Sequence, residues 1–172
     1  MRRELDGWRS AHRRGADGEI DSDECVRATR PVVPPTPDGA LDLGRLYWRE
    51  VERASRRIVR LRPDGDGLEL CLLGVGPALL RFGRPEVVVG DAGVGVRYPI
   101  RGGVLARRPV GSITLSQGGS DTPEVCAAVV GFVPRLGRTP LYGQLQRRVH
   151  VRISRRYFRR LLRGAQIGRA HV

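Results

Sequence analysis

The chain has 172 residues, which is long enough for one domain with a substantial buried core. Its formal net charge is +13, and because it contains neither lysine nor asparagine, all 31 Lys-or-Arg positions are arginine. The absence of lysine excludes a Walker A loop, a Schiff base and a lysine general base.

The positive charge is concentrated at the end of the chain. Residues 1–40 carry 7 arginines and 8 acidic residues, residues 41–140 carry 15 and 10, and residues 141–172 carry 9 and 0. A strongly basic chain ordinarily indicates nucleic acid or an anionic membrane as its partner. Lysine and asparagine have A-rich codons, so their absence indicates a GC-rich genome. We therefore attribute part of the net positive charge to codon composition. The position of the charge is therefore more informative than its sum.

The three cysteines, Cys25, Cys71 and Cys126, are far apart and form no C-x-x-C pair. This spacing predicts reduced, buried side chains rather than a disulfide framework. No stretch reaches the roughly 18 to 20 uncharged apolar residues of a membrane span, and the N-terminus lacks the apolar core of a signal peptide. We therefore expect a cytoplasmic protein, with peripheral attachment to the membrane as the alternative.

The first predicted element is a tail. Residues 1–40 are charged in both signs, have few periodic apolar positions and end in a proline-rich run at 30–39. Such a segment buries too little apolar surface to offset its ordering entropy, so we predict a disordered tail and linker. A short helix over about 42–57 follows, with Asp42 as its N-cap and Tyr47, Val51 and Ala54 at helical spacing.

Beyond this helix the apolar period changes to two, which is typical of strands. The candidate segments are separated by turns rich in glycine, and the chain has no βαβ alternation. They are 58–62, 68–73, 79–82, 86–89, 94–100, 104–106, 112–117 and 124–133. This succession predicts an antiparallel meander of about six or seven strands.

The most regular pattern is a long amphipathic helix at the end of the chain. Its apolar positions recur every four residues: Leu141, Leu145, Val149, Ile153, Tyr157 and Leu161. We expect this helix to pack across the sheet, which gives an α+β fold with one domain at 41–163. Residues 164–172 are expected to be a non-native or disordered end, since one frame of a common sequencing adapter translates to residues 167–172.

The opposite face of this helix carries arginines, of which Arg148, Arg152, Arg155 and Arg159 are the predicted anion-binding residues. These side chains suit an anionic membrane or nucleic acid, or simply form a solvated face. Nucleic acid is the less favoured partner because no set of aromatic stacking residues accompanies them. The sequence has no catalytic motif, so an enzyme is not favoured, and we expect no metal and no cofactor.

Several motifs resemble the START-like superfamily of polyketide cyclases and lipid-transfer proteins, which has a helix-grip fold. The resemblance covers about residues 41–163. Its motifs are Phe132-Val133-Pro134-Arg135-Leu136, Leu141-Tyr142, His150, the basic apolar run 155–162 and Arg97-Tyr98-Pro99-Ile100-Arg101-Gly102-Gly103. One departure is that the superfamily usually begins with a strand, for which Val32-Val33 among prolines is a poor candidate.

The resemblance implies a ligand cavity between the sheet and the C-terminal helix. In this chain the cavity would be lined by Leu70, Leu72, Val96, Tyr98, Ile113, Leu115, Val149, His150, Ile153 and Tyr157. An apolar set of this kind suits a lipid or polyketide-like molecule. The sequence thus predicts a non-enzymatic binding module for a hydrophobic small molecule, with docking through the arginine-rich helix as the alternative function. For His150 itself, a half-buried imidazole at the boundary of helix and sheet is favoured over a contact with a ligand.

Overall fold

The structure is a computed structural model and describes residues 5–119, 123–135 and 140–167. Within these ranges it has an α+β fold of nine strands and two helices. The strands are β1 (Arg9–Arg14), β2 (Ile20–Arg27), β3 (Val59–Asp64), β4 (Gly67–Leu72), β5 (Ala78–Phe82), β6 (Glu86–Gly90), β7 (Gly93–Gly102), β8 (Ser112–Gly118) and β9 (Glu124–Phe132). The helices are α1 (Pro37–Ala54) and α2 (Pro140–Ile167).

All nine strands belong to one antiparallel sheet in the order β1-β2-β9-β8-β7-β5-β4-β3, and β6 pairs with the first half of β7. The sheet is not closed. The predicted antiparallel sheet with two helices is therefore confirmed, whereas the count of six or seven strands was too low. The segment 104–106 forms a turn and a single bridge from Ala106 to Pro134 instead of a strand.

Two strands, β1 and β2, lie in the segment that the sequence predicted to be a disordered tail. Their sequences are mostly polar, so no local pattern indicates burial. The order of β2 comes from its partners, because it pairs with β1 on one side and with β9 on the other. Alternate residues of β2 then face the helices, and Glu24 and Val26 are buried there.

The proline-rich segment was predicted to be a linker, but it is tied to the sheet by one side chain. Oε1 of Gln117, on β8, accepts hydrogen bonds from the backbone N–H groups of Val32 at 2.6 Å and Val33 at 3.1 Å. Its Nε2 donates to the Val33 carbonyl at 3.0 Å. An amide is suited to this position because it satisfies both donors and acceptors of a backbone that has no strand partner.

Helix α1 begins five residues before the predicted start at 42, and Thr36 rather than Asp42 is its N-cap. Thr36 Oγ1 accepts a hydrogen bond from the N–H of Gly39 at 3.2 Å, and Pro37 occupies the first turn, where its missing N–H costs nothing. The helix packs against β6, β7 and β8 and against β3. A Cβ atom at Gly44 would lie 2.0 Å from the Tyr98 hydroxyl oxygen, so this close contact requires glycine.

The described part of α2 packs mainly on α1 and contacts the sheet at β2. Its buried side chains are Ser154, Tyr157, Phe158 and Leu161, and Tyr157 Oη donates to the Leu43 carbonyl of α1 at 3.2 Å. Val149 was predicted to belong to the buried stripe but is 48% exposed. A repeat of four residues drifts by about 40° per step around a helix of 3.6 residues per turn, so a strict four-residue repeat leaves the buried face.

Cys25 and Cys126 form a disulfide, which corrects the prediction that all three cysteines are reduced. The two residues are 101 positions apart in sequence but lie directly opposite each other on β2 and β9. Sequence spacing does not reveal this register, because β2 itself was not predicted. Cys71 is a buried free thiol.

Candidate functional site

An open cleft of about 990 Å³ lies between α2 and the segment that leads into β1. One wall is the polar face of α2, and the other is formed by Trp8 and Ser10. The lining residues of α2 are Gln144, Arg147, Arg148, Val151, Arg152, Arg155, Arg156 and Arg159. The cleft therefore includes all four predicted anion-binding residues and two further arginines.

The arginines of α2 divide into two groups by their partners. Arg160 and Arg156 point toward the buried Glu50 of α1, with N–O distances of 3.3 Å and 3.9 Å. Within the described ranges, Arg147, Arg148, Arg152, Arg155 and Arg159 form no ion pair with an acidic side chain. These five guanidiniums therefore have no close carboxylate partner among the described residues.

The aromatic wall of the cleft is held by contacts on both sides. The Trp8 ring packs edge-on against the buried Phe158, with centroids 5.7 Å apart, and the guanidinium of Arg155 lies 5.3 Å from the Trp8 centroid. A cation over an aromatic face is attracted by the ring quadrupole. These contacts fix one arginine of α2 against the β1 side of the cleft.

Below this cleft lies a buried polar cluster that joins β1, β2 and α2. Glu24 of β2 is 0% exposed, and its Oε1 and Oε2 lie 3.4 Å from His12 Nε2 and 3.3 Å from His150 Nε2. Ser154, one helical turn after His150, is also buried. Within the described structure, both Glu24 oxygens, His150 Nε2 and Ser154 Oγ lack a hydrogen bond of good geometry.

Burial changes the acid–base behaviour of this cluster. Desolvation raises the pKa of Glu24 to about 7; the Ser154 hydroxyl and the guanidiniums of Arg155 and Arg147 oppose this rise, and Asp23 adds to it. Desolvation lowers the pKa of His150 to about 4, helped by the nearby His12. The pKa of His12 is also lowered, by desolvation and then by Arg147. Near neutral pH the cluster therefore holds uncharged imidazoles around a carboxyl group that is close to its midpoint.

The cluster is connected to the cleft but is not arranged as a catalytic triad. Ser10 Oγ, in the cleft, is 3.2 Å from His12 Nε2, and the same nitrogen faces Glu24. In a Ser-His-acid triad the serine and the acid contact different ring nitrogens, so that the histidine can transfer a proton between them. Ser10, His12 and Glu24 do not have this geometry.

The predicted ligand-binding residues differ in their exposure to solvent. Leu70, Val96, Tyr98, Ile113, Leu115 and Tyr157 are buried, His150 and Ile153 are partly buried, and Leu72 and Val149 are exposed. Aromatic side chains pack in the space between α1, α2 and the sheet. Trp48 lies 5.2 Å from Tyr98 and 5.0 Å from Phe82, and Tyr47 lies 5.4 Å from Tyr157, measured between ring centroids.

A second, smaller cleft of about 370 Å³ has a largely apolar lining and lies between α1 and the β3–β4 hairpin. Tyr98 is the member of the predicted ligand set that lines it. The other apolar lining residues are Leu41, Trp48, Leu61, Leu68 and Pro85, and Arg45, Arg49 and Glu52 line it as well.

Four important side chains of the site were not predicted from the sequence: Trp8, Ser10 and Glu24 were not considered, and His12 was assigned to the disordered tail. All four lie on or beside β1 and β2. Ser22, Glu24 and Val26 face inward at every second position of β2, as in any strand. Because one of them is a glutamate and another a serine, the sequence shows no alternation of apolar and polar residues there. Only the pairing of β2 with β9 shows that Glu24 faces the helices.

Neither a protein-family profile nor a curated protein sequence matches the chain. Within the described residues, neither helix combines the length and apolar character that crossing a bilayer requires.

Proposed function

We propose that the protein binds single-stranded nucleic acid through the arginine cleft, without base specificity and without catalysis. The observation that carries this proposal is the open cleft of about 990 Å³ whose α2 wall holds six arginines, five of them without an ion pair in the described ranges. Guanidinium groups bind phosphate with planar, bidentate hydrogen bonds. This proposal places binding through the arginine-rich helix ahead of binding of a hydrophobic small molecule, which the sequence analysis had put first.

The length of the arginine row favours a ligand with several phosphates. Arg147 and Arg159 are twelve residues apart, which corresponds to about 18 Å along the helix axis. A single phosphate would use one or two of these side chains, whereas a polynucleotide backbone presents a phosphate to each of them. Trp8 lies in the same cleft with Arg155 over its ring, and aromatic rings together with arginine are usual components of single-strand binding.

The burial of α2 argues against a membrane as the main partner. A helix that lies in a membrane interface inserts its apolar face between lipids. Here Tyr157, Phe158 and Leu161 of that face are buried in the protein core. The arginines also line a concave cleft, and a planar bilayer does not follow such a surface.

The test is a binding titration with a labelled single-stranded oligonucleotide, at several salt concentrations. We expect Arg148→Gln, Arg152→Gln, Arg155→Gln and Arg159→Gln, combined in one variant, to weaken binding at least tenfold. The salt dependence should also flatten by about 0.7 in log–log slope for each phosphate contact that is lost. The matched control changes Arg49, Arg60, Arg84 and Arg101 to Gln. These arginines are exposed and lie outside the arginine cleft, and their substitution removes the same amount of positive charge.

Equal weakening in both variants would show a response to net charge alone and would contradict the proposal. Preferential binding to anionic vesicles over the oligonucleotide would contradict it as well and support the docking of α2 on a membrane.

A second candidate function, binding of a lipid or polyketide-like molecule, is supported by the apolar cleft between α1 and the β3–β4 hairpin. The resemblance to START-like proteins supports it further. Those proteins usually have a strand before the first helix, and β2 lies in that position here, whereas Val32-Val33 was a poor candidate for it. Native mass spectrometry of the purified protein tests this candidate. A copurified apolar molecule that is lost in Leu68→Arg would support it, whereas unliganded protein that also fails to bind a fatty acid would count against it.

A further inference from the structure

A second chemical site lies on the opposite face of the sheet. Asp23 and Cys25 of β2 point away from the helices, and Cys126 of β9 lies directly opposite Cys25. Cys25 Sγ is 3.5 Å from Asp23 Oδ1, and the ligand atoms of Asp23, Cys25 and Cys126 all lie within 4.8 Å of one another. The structure thus gathers two sulfurs and a carboxylate at one point that no mechanism above uses.

We propose that Asp23, Cys25 and Cys126 bind a divalent cation such as Zn²⁺ when the disulfide is reduced, and release it when the disulfide forms. Cysteine thiolates and carboxylate oxygens both bind zinc, and soft thiolates select zinc over magnesium or calcium. Three protein ligands leave the fourth tetrahedral position to water. The site is independent of the arginine cleft, which lies on the other face of the sheet.

The disulfide and the metal-bound form interconvert by a two-electron reaction. A dithiol reductant transfers two electrons and two protons to the Cys25–Cys126 bond, which yields two thiols and oxidises the reductant to its own disulfide. Zn²⁺ then displaces both thiol protons and forms two Zn–S bonds. Oxidation by a disulfide of higher potential reverses these steps, since sulfurs bonded to each other no longer carry thiolate charge.

An ion can approach the site from the side of two of its ligands. Asp23 is exposed and Cys126 is partly exposed, whereas Cys25 is buried. Arg9 lies opposite Cys25, but its guanidinium pairs with Glu124 at 2.7 Å, which offsets its charge. Ser116 of β8 lies opposite Cys126 on the same face and can support a metal-bound water.

The experiment measures Zn²⁺ and Co²⁺ binding to the whole protein, with and without a phosphine reductant. We expect the reduced protein to bind Co²⁺ with the near-ultraviolet absorption of cobalt thiolate, and the oxidised protein to lack it. Loss of an outer-shell partner usually weakens metal binding roughly 10- to 100-fold. Cys25→Ser, Cys126→Ser and Asp23→Asn each remove a direct ligand and should weaken it at least as much.

Cys71→Ser is the matched control, because Cys71 is a free, buried thiol on β4 and should not affect the absorption. Asp23→Asn keeps both thiols and changes an exposed side chain, so it tests the site even where a cysteine variant folds poorly. The proposal is overturned by Co²⁺ binding without a thiolate band, by loss of the band in Cys71→Ser alone, or by equal binding in both redox states. The last result would place the ion elsewhere, for instance between His12, Glu24 and His150.

Discussion

At the scale of single residues, the cluster around Glu24 is the feature with the largest chemical consequence. A fully buried carboxyl group is tolerated because desolvation favours its neutral form, and the adjacent imidazoles are neutral for the same reason. The cluster therefore responds to pH through two groups whose pKa values move in opposite directions. Their contributions to stability can be separated by substitution.

Glu24→Gln should change how stability depends on pH. The folded state holds the Glu24 proton to about pH 7 and the unfolded state releases it near 4.5, so raising the pH between these values lowers the free energy of unfolding. His150 acts oppositely: its folded pKa is about 4 and its unfolded value 6.5, so stability rises with pH over that range. Each effect is on the order of 3 kcal/mol.

In the wild type the two effects largely cancel between pH 4.5 and 6.5. Glu24→Gln removes the falling contribution, so its free energy of unfolding should rise with pH across this window. His150→Gln removes the rising one and should show a fall. Urea denaturation at a series of pH values measures both, and parallel curves for all three proteins would show that neither group titrates as described.

At the level of whole elements, the buried side chains described for α2 lie in its second half. Tyr157, Phe158 and Leu161 enter the core, whereas Val149 remains exposed. The sequence correctly predicted an amphipathic helix, but its four-residue repeat did not identify which side chains the fold would bury. The buried face is decided by the positions of α1 and Trp8, against which the helix packs.

We expect Phe158→Ala to destabilise the protein by about 3–5 kcal/mol, the usual cost of removing a buried aromatic ring. Val149→Ala is the matched control and should cost less than about 0.5 kcal/mol, because the side chain is about half exposed. Thermal and urea unfolding of the two variants measures the difference. A similar loss in both would mean that the helix lies in another orientation.

At the scale of the whole molecule, the sheet brings together segments that are far apart in sequence. The disulfide links β2 to β9 across 101 positions and so fixes the N-terminal hairpin to the last strand. The same hairpin supplies Trp8 to the arginine cleft and Glu24 to the buried cluster. One topological feature thus positions Trp8, the acid–base group Glu24 and the disulfide.

Reduction of the disulfide should lower the free energy of unfolding, because it restores chain entropy to the unfolded state. For a loop of about 100 residues the expected loss is at most about 4.7 kcal/mol. Thermal unfolding with and without reductant, in metal-free buffer, measures it. Cys71→Ser should show the same difference as the wild type, whereas Cys25→Ser with Cys126→Ser should show none, and any other result would exclude this bond as the cause.

Local sequence patterns encode an α+β chain, the strands from β3 to β9, and a C-terminal helix with an arginine face. Alternation and helical periodicity are visible in these segments because each has an apolar side that must be buried. The roles of residues 9–35, in contrast, follow from contacts between distant parts of the chain. β1 and β2 are polar, and the proline-rich segment is held by Gln117, so their order comes from long-range hydrogen bonds that no local pattern reports. The predicted anion-binding arginines lie in one cleft because they share one face of α2, whereas the positions of Glu24, His12 and the Cys25–Cys126 bond depend on the pairing of strands.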